Sequence, residues 1–316
     1  MTIIFASGGG RIGNQFINLI HLTAFSISNN TNIYKLNDNY FINKNSFPYL
    51  FFKVDSKKNR WKLNNRSDIY LFRSIKNVIF RMSVRMLHLI FYFMPFAYSY
   101  KYGDRFSRVN LLKADQIDAY ELKLLFSNSK NKLTIISGWG IRDWNLVNKN
   151  INKVKKIFSF NLSFYVKDQI FNKNNFSFLF IHIRNGDFAK FDYFKDNFVY
   201  KENVWVNAIK AVCKEENLQN VVLFTDDYPL HGIVSRLSSN GLNILNPEED
   251  KKNNFIELFI TYASKSKAIL CNSSTFSLSL AFIYHEYVYS PDEKKKFIKS
   301  STIKLNKTEP FCFNWQ

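Results

Sequence analysis

The sequence predicts an α/β protein built on parallel sheets wound with helices and divided into two halves. Three observations predict it. Short β-branched and aromatic runs alternate with helix-spaced segments from residue 176 to residue 284. The chain opens as an apolar run, a glycine loop and a second apolar run at helical spacing. A charged stretch near the middle, residues 148 to 158, reads as a linker and helix between the halves. At 316 residues each half can bury its own core, with domains expected at 1–155 and 156–316.

In order, TIIFAS (2–7) reads as a buried strand, and Asn14 to Ser26 has the apolar spacing of a helix. NIYKL (32–36) is the next strand. The middle of the chain, rich in Phe, Tyr, Asn and Lys, gives weak periodicity until LTIISGW (133–139), a strand ending in Gly138-Trp139-Gly140. The second half is sharper: strand 176–183, helix 199–216, strand 221–227, a polar helix through SRLSS, strand 243–245, helix 255–266, the segment AILCNSSTF (268–276) in which a strand runs into a hydroxyl cluster and a helix start, and the apolar SLSLAFIY. No internal repeat or low-complexity block interrupts this order.

The formal charge of +19 favours polyanions, anionic lipid surfaces or phosphorylated ligands without choosing among them. Much of it follows from a Lys, Asn, Ile and Phe bias of the kind an AT-rich gene produces, so the scarcer arginines are the more informative cations. Cys213, Cys271 and Cys312 are widely spaced, match no metal-ligand pattern and fit a reducing cytosol. Met1 runs straight into TIIFAS with no basic leader or cleavage site, so the mature chain is expected to start here. The longest apolar stretch, residues 87–98, is 12 residues against the ~20 a spanning helix needs. The basic and aromatic residues from Arg81 to Tyr102 suggest peripheral contact with an anionic membrane, with a buried helix as the alternative.

In wound sheets, ligands sit beyond the carboxyl ends of the strands, which singles out four places. The first is Gly8-x-Gly10-x-x-Gly13, followed by Asn14-Gln15. It satisfies a dinucleotide fingerprint formally, but the acidic residue for a ribose comes late, at Asp38. A tight turn and an amide-lined sugar or phosphate site remain beside that reading. The second is His182-Ile183-Arg184-Asn185-Gly186-Asp187. Here Arg184 is the only arginine between Arg142 and Arg236, and a guanidinium can hold a pyrophosphate bidentately. A satisfied histidine with a surface Arg–Asp pair is the simpler alternative.

The third place is Phe224-Thr225-Asp226-Asp227, whose carboxylates can ligate a metal, meet a guanine edge or ribose, or merely cap a helix. The fourth is Asn272-Ser273-Ser274-Thr275-Phe276, where hydroxyls at a helix start suit an anion. N-capping would explain one of the three hydroxyls.

Together, and in this order, these segments resemble the inverting fucosyltransferases that act on GDP-fucose, above all the bacterial and animal α-1,2-fucosyltransferases. Gly10-Arg11-Ile12-Gly13-Asn14-Gln15 resembles the family's GG-x-GNQ loop, and His182 to Phe188 its H-x-R-R-G-D-Y motif. Phe224 to Asp227 resembles F-S-D-D, and Asn272 to Ser277 the N-S-S-F-S-W-W helix start. Gly138 to Trp144 is similar to a degraded G-Y-W-Q-S-E-K-Y stretch. The resemblance implies a GT-B fold, two Rossmann-like domains facing each other across a cleft, with the acceptor on the N-terminal side and the GDP-sugar on the C-terminal side. It implies no metal and no cofactor beyond the donor. By carry-over, Arg184 holds the β-phosphate, His182 lines the donor pocket, Asp226 or Asp227 addresses guanine or ribose, and Ser273, Ser274 and Thr275 bind the diphosphate. Gly10, Gly13, Asn14 and Gln15 fall to the acceptor side.

Three departures bear on the donor. Asn185 replaces a second arginine, Phe188 a tyrosine, and Leu278-Ser279 paired tryptophans, which opens the way to GDP-colitose or another GDP-deoxyhexose. An inverting transfer needs a general base, expected to be Asp187 with Asp192 behind it, and cationic support for the leaving diphosphate from Arg184. The setting implied is surface polysaccharide synthesis, O-antigen or capsule, on a glycan acceptor carried on a lipid diphosphate, in the cytoplasm at the inner membrane face. The alternatives are a metal-dependent GT-A transferase using Asp226 and Asp227, an NAD enzyme, and a basic nucleic-acid-binding protein. No nucleic-acid motif appears, so no nucleic-acid partner is expected.

Overall fold

The computed structural model describes residues 2–7, 12–30, 32–35, 52–55, 60–61, 82, 86, 89, 97–101, 133–137, 143–163, 166, 177–184, 199–225, 230–245 and 251–302. The chain divides into two compact units, Met1–Asn161 with Gln316, and Leu162–Trp315.

The first unit is built on β1 (Thr2–Ser7), β2 (Asn32–Lys35), β3 (Phe52–Asp55), β4 (Arg60–Trp61), β5 (Ala97–Lys101) and β6 (Leu133–Ser137), in the order β4-β3-β2-β1-β6-β5. β1 is parallel to both β2 and β6, and β6 to β5, while β3 and β4 join antiparallel at one edge. The order reverses between β1 and β6, the topological switch point of this sheet.

Helix α1 (Ile12–Asn29) follows β1 and is buried almost all round, through Phe16, Ile17, Leu19, Ile20, Leu22, Ala24 and Phe25. It starts two residues ahead of the sequence expectation, so Gly13, Asn14 and Gln15 lie in its first turn. Helices α2 (Trp144–Lys149) and α3 (Ile151–Leu162) follow β6. Residues 148–158, expected to form a linker and helix, are largely helical. Val154, Ile157 and Phe158 are buried, with the Phe158 ring 6.3 Å from that of Phe16.

The second unit carries β7 (Phe178–Ile183), β8 (Asn220–Thr225), β9 (Asn243–Leu245), β10 (Ala268–Cys271), β11 (Tyr287–Asp292) and β12 (Lys296–Ser301), in the order β12-β11-β10-β7-β8-β9. All neighbours are parallel except the β11–β12 hairpin. The helices are α4 (Glu202–Glu215), α5 (His231–Ser238), α6 (Lys251–Lys265) and α7 (Thr275–Tyr284). Every residue of β7 and β10 is buried, as expected of parallel strands covered on both faces.

Alternate residues of β7 explain both covers. Leu179, Ile181 and Ile183 pack with Trp205, Ile209 and Val212 of α4 and Ile233 and Leu237 of α5. Phe178, Phe180 and His182 meet Phe259 and Tyr262 of α6. Helix α4 stops at Asn217, whose φ of 52° is left-handed, while the Leu218 amide bonds back to the Cys213 carbonyl at 2.8 Å. α5 ends the same way at Gly241, φ 78°, where any side chain would be strained.

Candidate functional site

The second sheet runs β7, β8, β9 to one side and then crosses back to set β10 on the other side of β7. Its switch point is therefore between β7 and β10, and a crevice is expected beyond their carboxyl ends. Two of the four segments predicted from the sequence meet there. In the parallel register, Cys271 faces His182, so Arg184 follows β7 while Asn272-Ser273-Ser274 follows β10.

The two strand ends are joined by side chains. The Asn272 amide accepts from the Arg184 N–H at 3.0 Å and donates to the Arg184 carbonyl at 2.7 Å. His182 Nδ1 and Ser277 Oγ of α7 are 2.5 Å apart. This bond forms in either neutral tautomer, with Ser277 donating to the ring or accepting from it. His182 is buried and stands edge-on to Phe259, with ring centroids 4.8 Å apart. It is thus a satisfied histidine that ties β7 to α7. Arg184 is half-buried at the rim.

Ser274 occupies the N-cap position of α7, yet its hydroxyl makes no capping bond. It is fully buried and has no hydrogen-bond partner among the described residues. The capping role that would explain one hydroxyl of the cluster is thus not what Ser274 does. A buried hydroxyl left without a partner costs roughly 1–3 kcal/mol, and a ligand oxygen here would offset that cost. Ser273 and Thr275 are partly exposed on either side, and the first-turn amides of a helix have no acceptor within it. Helix start, hydroxyls and strand-end arginine together make a site suited to an anion.

Asp187, Asp192, Asp226 and Asp227 lie outside the described residues, as does Gly10. Thr225, which directly precedes Asp226, ends β8 opposite Ile183. Of the N-terminal loop, Gly13 is buried in the first turn of α1, and the backbones of Asn14 and Gln15 are helical. In the first unit, buried His21 of α1 accepts the Asp143 N–H on Nδ1 at 2.8 Å. Asp143 in turn caps α2 through Leu146 N–H at 2.8 Å. Sequence reasoning missed His21, Ser277 and the pair of hydrogen bonds between Asn272 and the Arg184 backbone. Only a strand register reveals such partners, although an Asn at a strand end was a visible cue. Among the described residues no group of three or more His, Cys, Asp and Glu is placed to hold a metal.

The fold defines the chain as an α/β protein of two units, with Arg184 joined to the Asn272–Thr275 turn at the switch point of the second. Its sequence matches no family model and no curated protein. Among solved structures it is similar to POFUT1 in complex with GDP-fucose, at 13% identity and a TM-score of 0.46, over 89% of this chain and 94% of that one. It is also similar to the α-1,6-fucosyltransferase NodZ soaked with GDP-fucose, at 10% identity and a TM-score of 0.46, over 95% and 98% of the two chains. A further NodZ fucosyltransferase structure, from Bradyrhizobium, gives 11% identity and a TM-score of 0.48 over the same shares.

Proposed function

We propose that the chain is an inverting glycosyltransferase of GT-B type that moves a 6-deoxyhexose, L-fucose first among them, from a GDP-sugar to a glycan hydroxyl. The observation that carries this reading is the joining of Arg184 to the Asn272-Ser273-Ser274-Thr275 turn at the switch point. Those were the two segments whose resemblance implied a diphosphate site. The second unit then takes the donor and the first the acceptor, near Gly10, Gly13, Asn14 and Gln15. Arg184 and the α7 start stabilise the charge that develops on the leaving GDP. His182 forms the pocket floor and fixes α7 through Ser277. Asp187, with Asp192 behind it, takes the acceptor hydroxyl proton as the new bond to the anomeric carbon forms and the bond to the diphosphate breaks. Asp226 or Asp227 meets the guanine or ribose. An α-1,2 linkage, a GDP-colitose donor and a lipid-diphosphate-linked acceptor of surface polysaccharide are the finer forms of this reading.

A thermal-shift screen of GDP, UDP, CMP and NAD, with and without EDTA, tests it. GDP alone is expected to stabilise the protein, and equally in EDTA. A requirement for metal would favour GT-A chemistry at Asp226 and Asp227. Arg184→Ala is expected to lower turnover by ~10²–10³, the scale of one lost charge-stabilising donor, and near-normal turnover would refute its role.

A separate observation supports contact with an anionic membrane. Met82, Met86 and Leu89 are helical, share one face by their spacing, and are 58%, 58% and 56% exposed. The sequence from 69 to 103 carries Arg73, Lys76, Arg81, Arg85 and Lys101 and no Asp or Glu. Among the described residues no helix is long and apolar enough to cross a membrane, so the contact proposed is peripheral. Phosphatidylglycerol vesicles are expected to sediment the protein, less so as salt rises, and Met82→Asp with Met86→Asp to release it. Equal sedimentation with phosphatidylcholine vesicles would remove the idea.

A further inference from the structure

The β7–β10 ladder runs through four registered pairs, from Ala268 opposite Leu179 to Cys271 opposite His182, and β10 then ends. Beyond that point the β10 chain leaves the sheet, turning through Asn272-Ser273-Ser274 into α7. A crevice at a switch point exists only because of this parting, and the width of its mouth depends on where the parting begins. The Asn272 side chain sets that place. Its amide is a peptide group carried on one methylene, and it satisfies the Arg184 N–H and the Arg184 carbonyl at once, at 3.0 and 2.7 Å.

We propose that Asn272 is a positioning residue whose side-chain amide adds one last rung to the β7–β10 ladder. It thereby fixes the peptide from which the Arg184 side chain reaches the bound anion. The part about the anion rests on the nucleoside diphosphate reading above. The part about the rung does not.

The chemistry is specific to asparagine. The rung needs an acceptor toward the N–H and a donor toward the carbonyl on a side chain of this length. Asp at neutral pH offers acceptors only and sets a carboxylate against the Arg184 carbonyl. Leu fills a similar volume and offers neither. Asn272 is fully buried, so water does not make up the loss. Burial and the facing Arg184 carbonyl favour the neutral acid and outweigh the Arg184 N–H and guanidinium, which favour the carboxylate, so an Asp at 272 would titrate above the usual carboxylate range. Once protonated it has the donor again.

The test combines GDP affinity with amide exchange in the full chain. Asn272→Leu is expected to weaken GDP binding on the order of tenfold, the scale of one lost hydrogen bond, and to speed hydrogen exchange at the Arg184 amide. Asn272→Asp is expected to match it for GDP at pH 7.5 and to recover toward wild type at pH 5.5, each value taken relative to wild type at that pH. In an Arg184→Ala background, Asn272→Leu should add no further loss, because the two residues act as one unit.

Wild-type GDP affinity in a folded Asn272→Leu protein, or a loss that simply adds to that of Arg184→Ala, would overturn the positioning role. So would an Asn272→Asp protein without the pH recovery, which keeps the test open should the Leu variant not fold. If wild type itself fails to bind GDP, the functional reading falls, while unchanged exchange at the Arg184 amide in the variants is the separate result that removes the rung.

Discussion

The two faces of the second sheet are covered by different chemistry. Under α4 and α5, β7 and β8 present Leu179, Ile181, Ile183, Val221 and Leu223 to an aliphatic layer around Trp205. Under α6 and α7 the same strands present Phe178, Phe180, His182 and Phe224 to an aromatic layer centred on Phe259. That ring stands 4.9 Å from Phe180, 4.8 Å from His182, 5.2 Å from Phe224 and 4.9 Å from Phe276. Along β7 the aromatic face passes from two phenyl rings to an imidazole at the carboxyl end, where Ser277 meets it. The aliphatic face gathers polar groups at the opposite end, where α4 finishes at Glu215 and Glu216, beside Lys267 just ahead of β10. The face that becomes polar at the carboxyl end is the one that carries the proposed site. The other carries its charges where they serve the fold.

The sharpest way to break this contrast is to cut equally deep into each face. Phe259→Ala removes the hub of the aromatic layer and should cost about 3–5 kcal/mol, read from urea unfolding. Leu223→Ala, 1% exposed on the aliphatic face, should cost about 2–5 kcal/mol. The two should part in GDP titrations of the folded proteins. Loss of Phe259 frees His182 and Phe276, and with them the start of α7, so affinity should fall. Loss of Leu223 should leave affinity at the wild-type value. Equal weakening by both would show that the aromatic face has no special tie to the crevice.

How much of this was legible follows from the same contrast. β7, β8 and β10 are buried on both faces, so they read as unbroken apolar runs and were found to within a few residues. Their carboxyl ends then pointed to His182, Arg184 and the 272–275 turn with no knowledge of the register. The strands β3, β4 and β5 were not read, because they lie in the Phe-, Tyr-, Asn- and Lys-rich middle of the chain, where apolar periodicity is weak. The hairpin of β11 and β12 was hidden by Pro291 and a charged turn. That turn is closed by Asp292, whose carboxylate accepts from the amides of Lys294 and Lys295 at 3.0 and 2.5 Å. In α3 the lysines masked a buried stripe at 154, 157 and 158, an i, i+3, i+4 pattern. The Asn272 rung needed the register itself.

The smallest expected effect lies at the charged end of the aliphatic face. The Tyr289 hydroxyl, rooted in that core, donates to Glu216, and Lys299 reaches Glu215 at 2.9 Å and Glu216 at 3.5 Å. The Tyr289 hydrogen bond, helped by Lys299 and Lys267 and opposed by burial, holds the Glu216 carboxyl below its ordinary range. A carboxyl whose folded value lies below its unfolded one stabilises the fold above the unfolded value. It loses that contribution as pH falls through the folded value. Glu216→Gln can still accept from Tyr289, so it isolates the charge. It should cost about 1 kcal/mol at pH 7, and the gap to wild type in thermal unfolding should close as pH drops below the ordinary glutamate range. Because this cluster sits at the far end of the strands from Arg184, GDP affinity should not change. A Glu216→Gln protein with weakened GDP binding would mean that the two ends of the sheet are coupled, and the division between a binding end and a fold-keeping end would fail.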